Sequence, residues 1–129
     1  MSQDRPSIND ILLTVQKFLD DTGPTLSGEA KYHAQVSSYL LGICERELRL
    51  AGDFDRKEAA QLTEFLGSGV ALDEMTGALC KNIRAGKYDN NWDQVLNMVL
   101  EQTIDKVKVV KPGHLAPMHG RRAVGGNHV

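Results

Sequence analysis

The chain has 129 residues, 41% hydrophobic and 25% charged, which suits one ordinary soluble domain with one core. A formal charge of −2 gives no electrostatic reason to expect nucleic acid or an anionic membrane as partner. Aromatics make up 5%, so an aliphatic core is expected. The halves differ: residues 1–65 carry 7 Lys and Arg against 11 Asp and Glu, and residues 66–129 carry 8 against 6.

Cys44 and Cys80 lie in helical patterns with no C-x-x-C, so they read as buried thiols in a reducing cytoplasm rather than a disulfide framework. The polar, acidic start MSQDRPSIND does not read as a signal peptide, and no apolar run is long enough to span a bilayer.

In chain order, SINDILLTVQKFLDD spaces Ile8, Ile11, Leu12, Val15, Phe18 and Leu19 on one stripe of a helix, expected to face the core. Ser7 with Asp10 resembles a capping box, and TGPTLSG breaks the helix. Residues 29–51 form a second helix, apolar on so many faces that it reads as the central one. A third is expected after AGDFD, capped by Asp55 with Glu58 and stopped at Gly67. A fourth places Leu72, Met75, Leu79 and Ile83 inward, with Lys81 and Arg84 in its last turn, and ends at Gly86. The fifth is capped by Asn90 or Asn91, carries Trp92, Val95, Leu96, Val99, Thr103, Val107 and Val110 on one face with Leu100 and Ile104 beside them, and stops at Pro112–Gly113. KVKVV also alternates like a strand, but nothing else could pair with it. The expected architecture is all-α: a bundle of about five helices over residues 1–112. A flexible Gly-, His- and Arg-containing tail follows over residues 113–129.

His33 reads either as a base oriented by a partner such as Ser37 or as a packed histidine with satisfied nitrogens. Glu45 and Arg49 stand at i, i+4, a favourable ion pair on a solvated face, while Arg46 projects elsewhere and could hold a carboxylate or phosphate. Lys81, Arg84 and Lys87, with Lys106, Lys108 and Lys111, could meet an anionic partner or simply complement helix dipoles. His114, His119 and His128 match no metal-site spacing, so no metal site is expected. GRRAVGG lacks the ending of a phosphate loop, and no nucleophile motif occurs, so no catalytic residue is assigned.

The series RPS, KYHAQV, CEREL, LCKNIRAGKYD and DKVKVVKPGHL, from about Arg5 to Leu115, resembles a family of small bacterial helical domains of the DUF6285 type. Within it the pattern is similar to the small subunit of a bacterial 4-hydroxyacyl-CoA kinase of levulinate and 4-hydroxyacid catabolism. The resemblance implies a non-catalytic, cytoplasmic accessory subunit of an aminoglycoside-phosphotransferase-like kinase. ATP, Mg and the CoA thioester are then expected on that partner, and no cofactor on this chain alone. It further implies that Tyr32, His33, Arg46, Glu47 and Arg84 form a partner interface or a buried polar network. Lys87, Lys106, Lys108, Arg121 and Arg122 become possible anion contacts. KPGHL, with Lys111 before Pro112, departs from the family's commoner Asn-Pro ending. Two rivals stay open: a self-associating helical binding module or homo-oligomer, and a small enzyme using His33.

Overall fold

The computed structural model describes the backbone of residues 5–122 and the side chains of residues 5–119. The chain is all-α, with five α-helices and no strand among the described residues: α1 (Ile8–Thr22), α2 (Gly28–Leu66), α3 (Met75–Arg84), α4 (Trp92–Val110) and α5 (Pro117–Arg122). Short 3-10 turns connect them at Gly23–Thr25, Leu72–Glu74, Asp89–Asn91 and Pro112–His114.

The five helices are not the five the pattern predicts. The second and third expected helices are one 39-residue helix, α2. Gly52 in a helix interior costs only about 1 kcal/mol relative to alanine, too little to stop a helix with good formers on both sides. Asp53 pairs with Arg56 across the expected break, and Asp55 lies inside the helix rather than capping one. The fifth is α5, within the segment read as a tail; residues 123–129, including His128, lie outside the described residues.

Several stop and start signals act as expected. Ser7 and Asp10 form a reciprocal capping box at α1. Gly67 and Gly86 take φ of 79° and 77°, the left-handed conformation in which L side chains are strained. KVKVV belongs to α4. Asn91 occupies the N-cap of α4, but its side chain makes no capping hydrogen bond.

The contacts sort into two compact units, residues 1–51 and 52–129, with the boundary inside α2. The second unit holds the core: Leu62, Met75, Leu79, Tyr88, Val95 and Met98, with Phe65, Leu66, Val70 and Ile83 packed against them. It is not purely aliphatic. Phe65 and Tyr88 meet edge to face at 5.6 Å. The Tyr88 hydroxyl accepts from Asn82 Nδ2 at 3.0 Å and reaches the Phe65 carbonyl at 3.4 Å, so a buried phenol is satisfied.

The buried face of α4 keeps the expected Val95 and Ile104 but is rotated away from the rest of the expected stripe. Val95, Met98, Ile104, Asp105 and Val109 are buried, while Trp92, Leu96, Val99, Thr103 and Val110 are exposed. Asp105 is tolerated because Lys57 Nζ approaches its Oδ2 at 3.0 Å; the same ammonium lies 3.8 Å from Glu101. Hydrophobic periodicity cannot detect a face that contains an ion pair. Leu72, expected inward, is 72% exposed. Cys44 and Cys80, read as buried thiols, are both exposed: the inward faces of their helices run through Gly42 and Glu45 and through Leu79.

Candidate interaction surface

The first unit is a helical hairpin whose two helices meet through polar and small residues. Asn9 Nδ2 donates to the Glu45 carbonyl at 3.2 Å and to Glu45 Oε1 at 3.3 Å. Gln16 Nε2 donates to the Ser38 carbonyl at 3.1 Å, and Ser38 Oγ donates to Asp20. The residues of α2 buried in this unit are Ala34, Ser38, Gly42 and Glu45. Small side chains at Ala34, Ser38 and Gly42 let α1 approach. A Cβ on Gly42 would stand 3.0 Å from Gln16 Nε2 and 3.1 Å from Arg46 Nη1, so the missing side chain leaves room for both polar groups.

Glu45 corrects the reading of a solvated face. Its i, i+4 pair with Arg49 is present at 2.8 Å, but Glu45 itself is buried under Asn9. The Arg49 guanidinium hydrogen-bonded to it holds its carboxyl below the usual range, against the opposing effect of burial. The charge of Arg49, the Asn9 amide and the charge of Arg46 add in the same direction.

Of the expected apolar stripe of α1 this seam takes only Leu12 and Leu19, both half-buried. No residue of α1 is buried. Ile8, Ile11 and Val15 are 44–48% exposed and Phe18 is 63% exposed. The hydrogen bonds set the register: the two helices run antiparallel, with Asn9 level with Glu45 and Gln16 level with Ser38. At 100° per residue, Ile8, Ile11, Val15 and Phe18 lie about 100° around α1 from Asn9, Leu12, Gln16 and Leu19. Leu41, Cys44 and Leu48 lie about 90° around α2 from its buried residues. Because the helices are antiparallel, both rotations open to the same side. The hairpin therefore carries one continuous apolar flank. The outward side of α2 carries a second group, Tyr32, Val36, Tyr39 and Leu40, all exposed.

The residues singled out by pattern distribute as follows. Tyr32 and His33 are exposed, with ring centroids 5.9 Å apart and tilted by 54°. His33 makes no hydrogen bond with any described residue, Ser37 included, so the buried-network reading of His33 is corrected: it is a surface residue. Arg46 is half-buried beside Gly42, and Glu47 is exposed. A part-buried polar network is present, built by Asn9, Gln16, Asp20, Ser38 and Glu45. Amides and a serine at i, i+7 spacing were the only trace of it in the pattern.

In the second unit Arg84, Lys87 and Lys106 are exposed and make no ion pair with a described residue. Lys108 differs. It is half-buried, with its ammonium 5.9 Å from the centre of the Phe54 ring, and burial pushes it below the usual lysine range, with Asp105 opposing and Lys57 reinforcing. That position makes Lys108 a poorer anion contact than its neighbours. The side chains of Arg121 and Arg122 lie outside the described ones. A cleft of about 490 Å³ is floored by Leu62 and Met75 and rimmed by Asp55, Glu58 and Asp73. Among the described residues no group of three or more His, Cys, Asp and Glu is placed to hold a metal ion, and no helix is long and apolar enough to cross a membrane.

No curated protein and no solved structure matches the chain. A family profile, described as a domain of unknown function (DUF6285), matches residues 24–114, which takes in α2, α3 and α4 and leaves α1 outside. Because that match covers well over half of the sequence, the chain belongs to the DUF6285 family.

Proposed function

We propose that this chain is a non-catalytic accessory subunit of an aminoglycoside-phosphotransferase-like kinase that phosphorylates 4-hydroxyacyl-CoA. One observation carries the reading. The hairpin buries no large apolar side chain except at intermediate depth, yet it displays Tyr32, Val36, Tyr39 and Leu40 on the outward side of a helix within the family-matched segment. A solvent-facing apolar group of this kind marks a protein–protein interface. The motif series around Tyr32–Ala34 and Arg46–Leu48 supports the choice of partner through its resemblance to kinase small subunits.

In this reading the kinase supplies ATP, Mg and the CoA thioester site. The outward side of α2 docks on it, with His33 and Glu47 at the rim. The exposed Arg84, Lys87 and Lys106 offer charge to the phosphates of coenzyme A or ATP. Cytoplasmic location follows from the substrates. A kinase assay with ATP and 4-hydroxyvaleryl-CoA tests it, run on an aminoglycoside-phosphotransferase-like kinase with and without this chain. Turnover that requires the chain, and that falls with Tyr32→Glu or Leu40→Glu, is the expected result. Turnover indifferent to the chain overturns the reading.

A further inference from the structure

We infer that the other apolar flank of the hairpin, formed by Ile8, Ile11, Val15 and Phe18 of α1 with Leu41 and Leu48 of α2, is covered by the same flank of a second copy. The two hairpins then make a four-helix bundle.

Spacing is the first argument. Positions 8, 11, 15 and 18 follow the 3-4-3 rhythm of a coiled-coil seam, and 41, 44 and 48 continue it on α2. Such seams pack helix on helix at small crossing angles. The flank contains no charged side chain, so a two-fold axis that sets it against itself brings no like charges together in its centre.

Area is the second. With Leu48 also 56% exposed and Leu41 half-buried, the flank presents on the order of 500 Å² of apolar side chain, at the upper end for the largest patch of a typical monomer. It is also close to the apolar share of the roughly 800 Å² that each partner gives to a standard interface.

The inference does not rest on the kinase reading, and its test uses this protein alone.

The experiment is light scattering and sedimentation equilibrium on the full chain from micromolar to submillimolar concentration. Alkylation of Cys44 is followed alongside, with Cys80 as reference. Both thiols are exposed in the single chain, and only Cys44 lies on the flank. The expected mass is twice 14.2 kDa, with Cys44 alkylation slowing as concentration rises while Cys80 stays constant. Phe18→Glu and Ile11→Glu should each weaken the dimer by about a hundredfold or more, because a charge is placed in the closed seam. Leu72→Glu, an exposed leucine of the second unit, should leave it intact. Should the α1 variants lose helicity, the concentration dependence of Cys44 in the wild type decides. A monomer at every concentration overturns the inference, as does a dimer in which Cys44 and Cys80 react alike or one unmoved by Phe18→Glu. A monomer that pairs only when the phosphotransferase is added assigns the flank to that protein and overturns it too.

Discussion

Asn9 Nδ2 lies within hydrogen-bonding distance of both the carbonyl and the carboxylate of Glu45, at 3.2 and 3.3 Å. One amide on α1 thus ties down a main-chain and a side-chain acceptor on α2, 36 residues away. Replacing Asn9 with Ala removes one hydrogen-bond donor from the buried Glu45 carboxylate and leaves its Arg49 contact. The expected loss is about 1–2 kcal/mol, read as a lower urea midpoint. Asn9→Asp should cost more, since it sets two carboxylates side by side. No change in either variant would show that the seam contributes nothing.

The same carboxylate makes the hairpin sensitive to acid. Its folded value is held below the ordinary 4.5, so the unfolded chain binds the proton more readily. The stabilisation is fully present above pH 4.5 and is lost as pH falls through the lowered folded value. Urea midpoints from pH 6 down to pH 3, about the range over which carboxylates titrate, should fall more steeply in the wild type than in Glu45→Gln. Parallel curves would sink the assignment.

Asp105 is buried, with one oxygen on Lys57 and the other, Oδ1, without a hydrogen-bond partner among the described residues. Lys57→Met strands that charge and is expected to cost about 2–3 kcal/mol, below the cost for a fully buried pair because the Lys57 side chain is 38% exposed. The double variant Lys57→Met with Asp105→Leu should recover most of the loss, since an apolar pair of similar volume needs no compensation. Thermal melts of the two singles and the double give the coupling directly.

Two glycines should respond with opposite sign. Gly77 lies inside α3 with nothing within 4 Å of a built Cβ, so Gly77→Ala is expected to stabilise by about 0.5–1 kcal/mol. Gly86 has φ of 77°, and a Cβ there would stand 3.0 Å from Asp89 Oδ2; Gly86→Ala should destabilise by about 1–2 kcal/mol. Paired melting curves check both.

Leu62 is 3% exposed at the centre of the second unit's core. Leu62→Ala is expected to cost about 2–5 kcal/mol. The first unit has no comparable residue, so Leu12→Ala, a half-buried leucine on α1, should cost distinctly less. Denaturant titrations of the two variants compare them, and equal losses would contradict the placement of the core in residues 52–129.

Local chemistry was legible without any structure. The Ser7–Asp10 box, the left-handed glycines at 67 and 86, the stop at Pro112 and the Glu45–Arg49 pair all lie within four or five residues of chain. At that range backbone sterics and i, i+4 geometry decide the outcome. Helical class followed for the same reason, from apolar spacing near 3.6. The tertiary structure alone decided which stripe is buried. Ile8, Ile11, Val15 and Phe18 make a regular amphipathic pattern, yet α1 turns Asn9 and Gln16 toward α2 instead. Periodicity records that a face is apolar and not what covers it. The same limit hid Asp105 in the face of α4 and carried α2 through Gly52, where about 1 kcal/mol of propensity was outweighed by the flanking helix formers. The hairpin's apolar flank and its polar seam follow from one fact that no single helix encodes: Asn9, Gln16 and Asp20 of α1 bond to Ser38 and Glu45 of α2 across the seam, so Ile8, Ile11, Val15 and Phe18 are left to face outward.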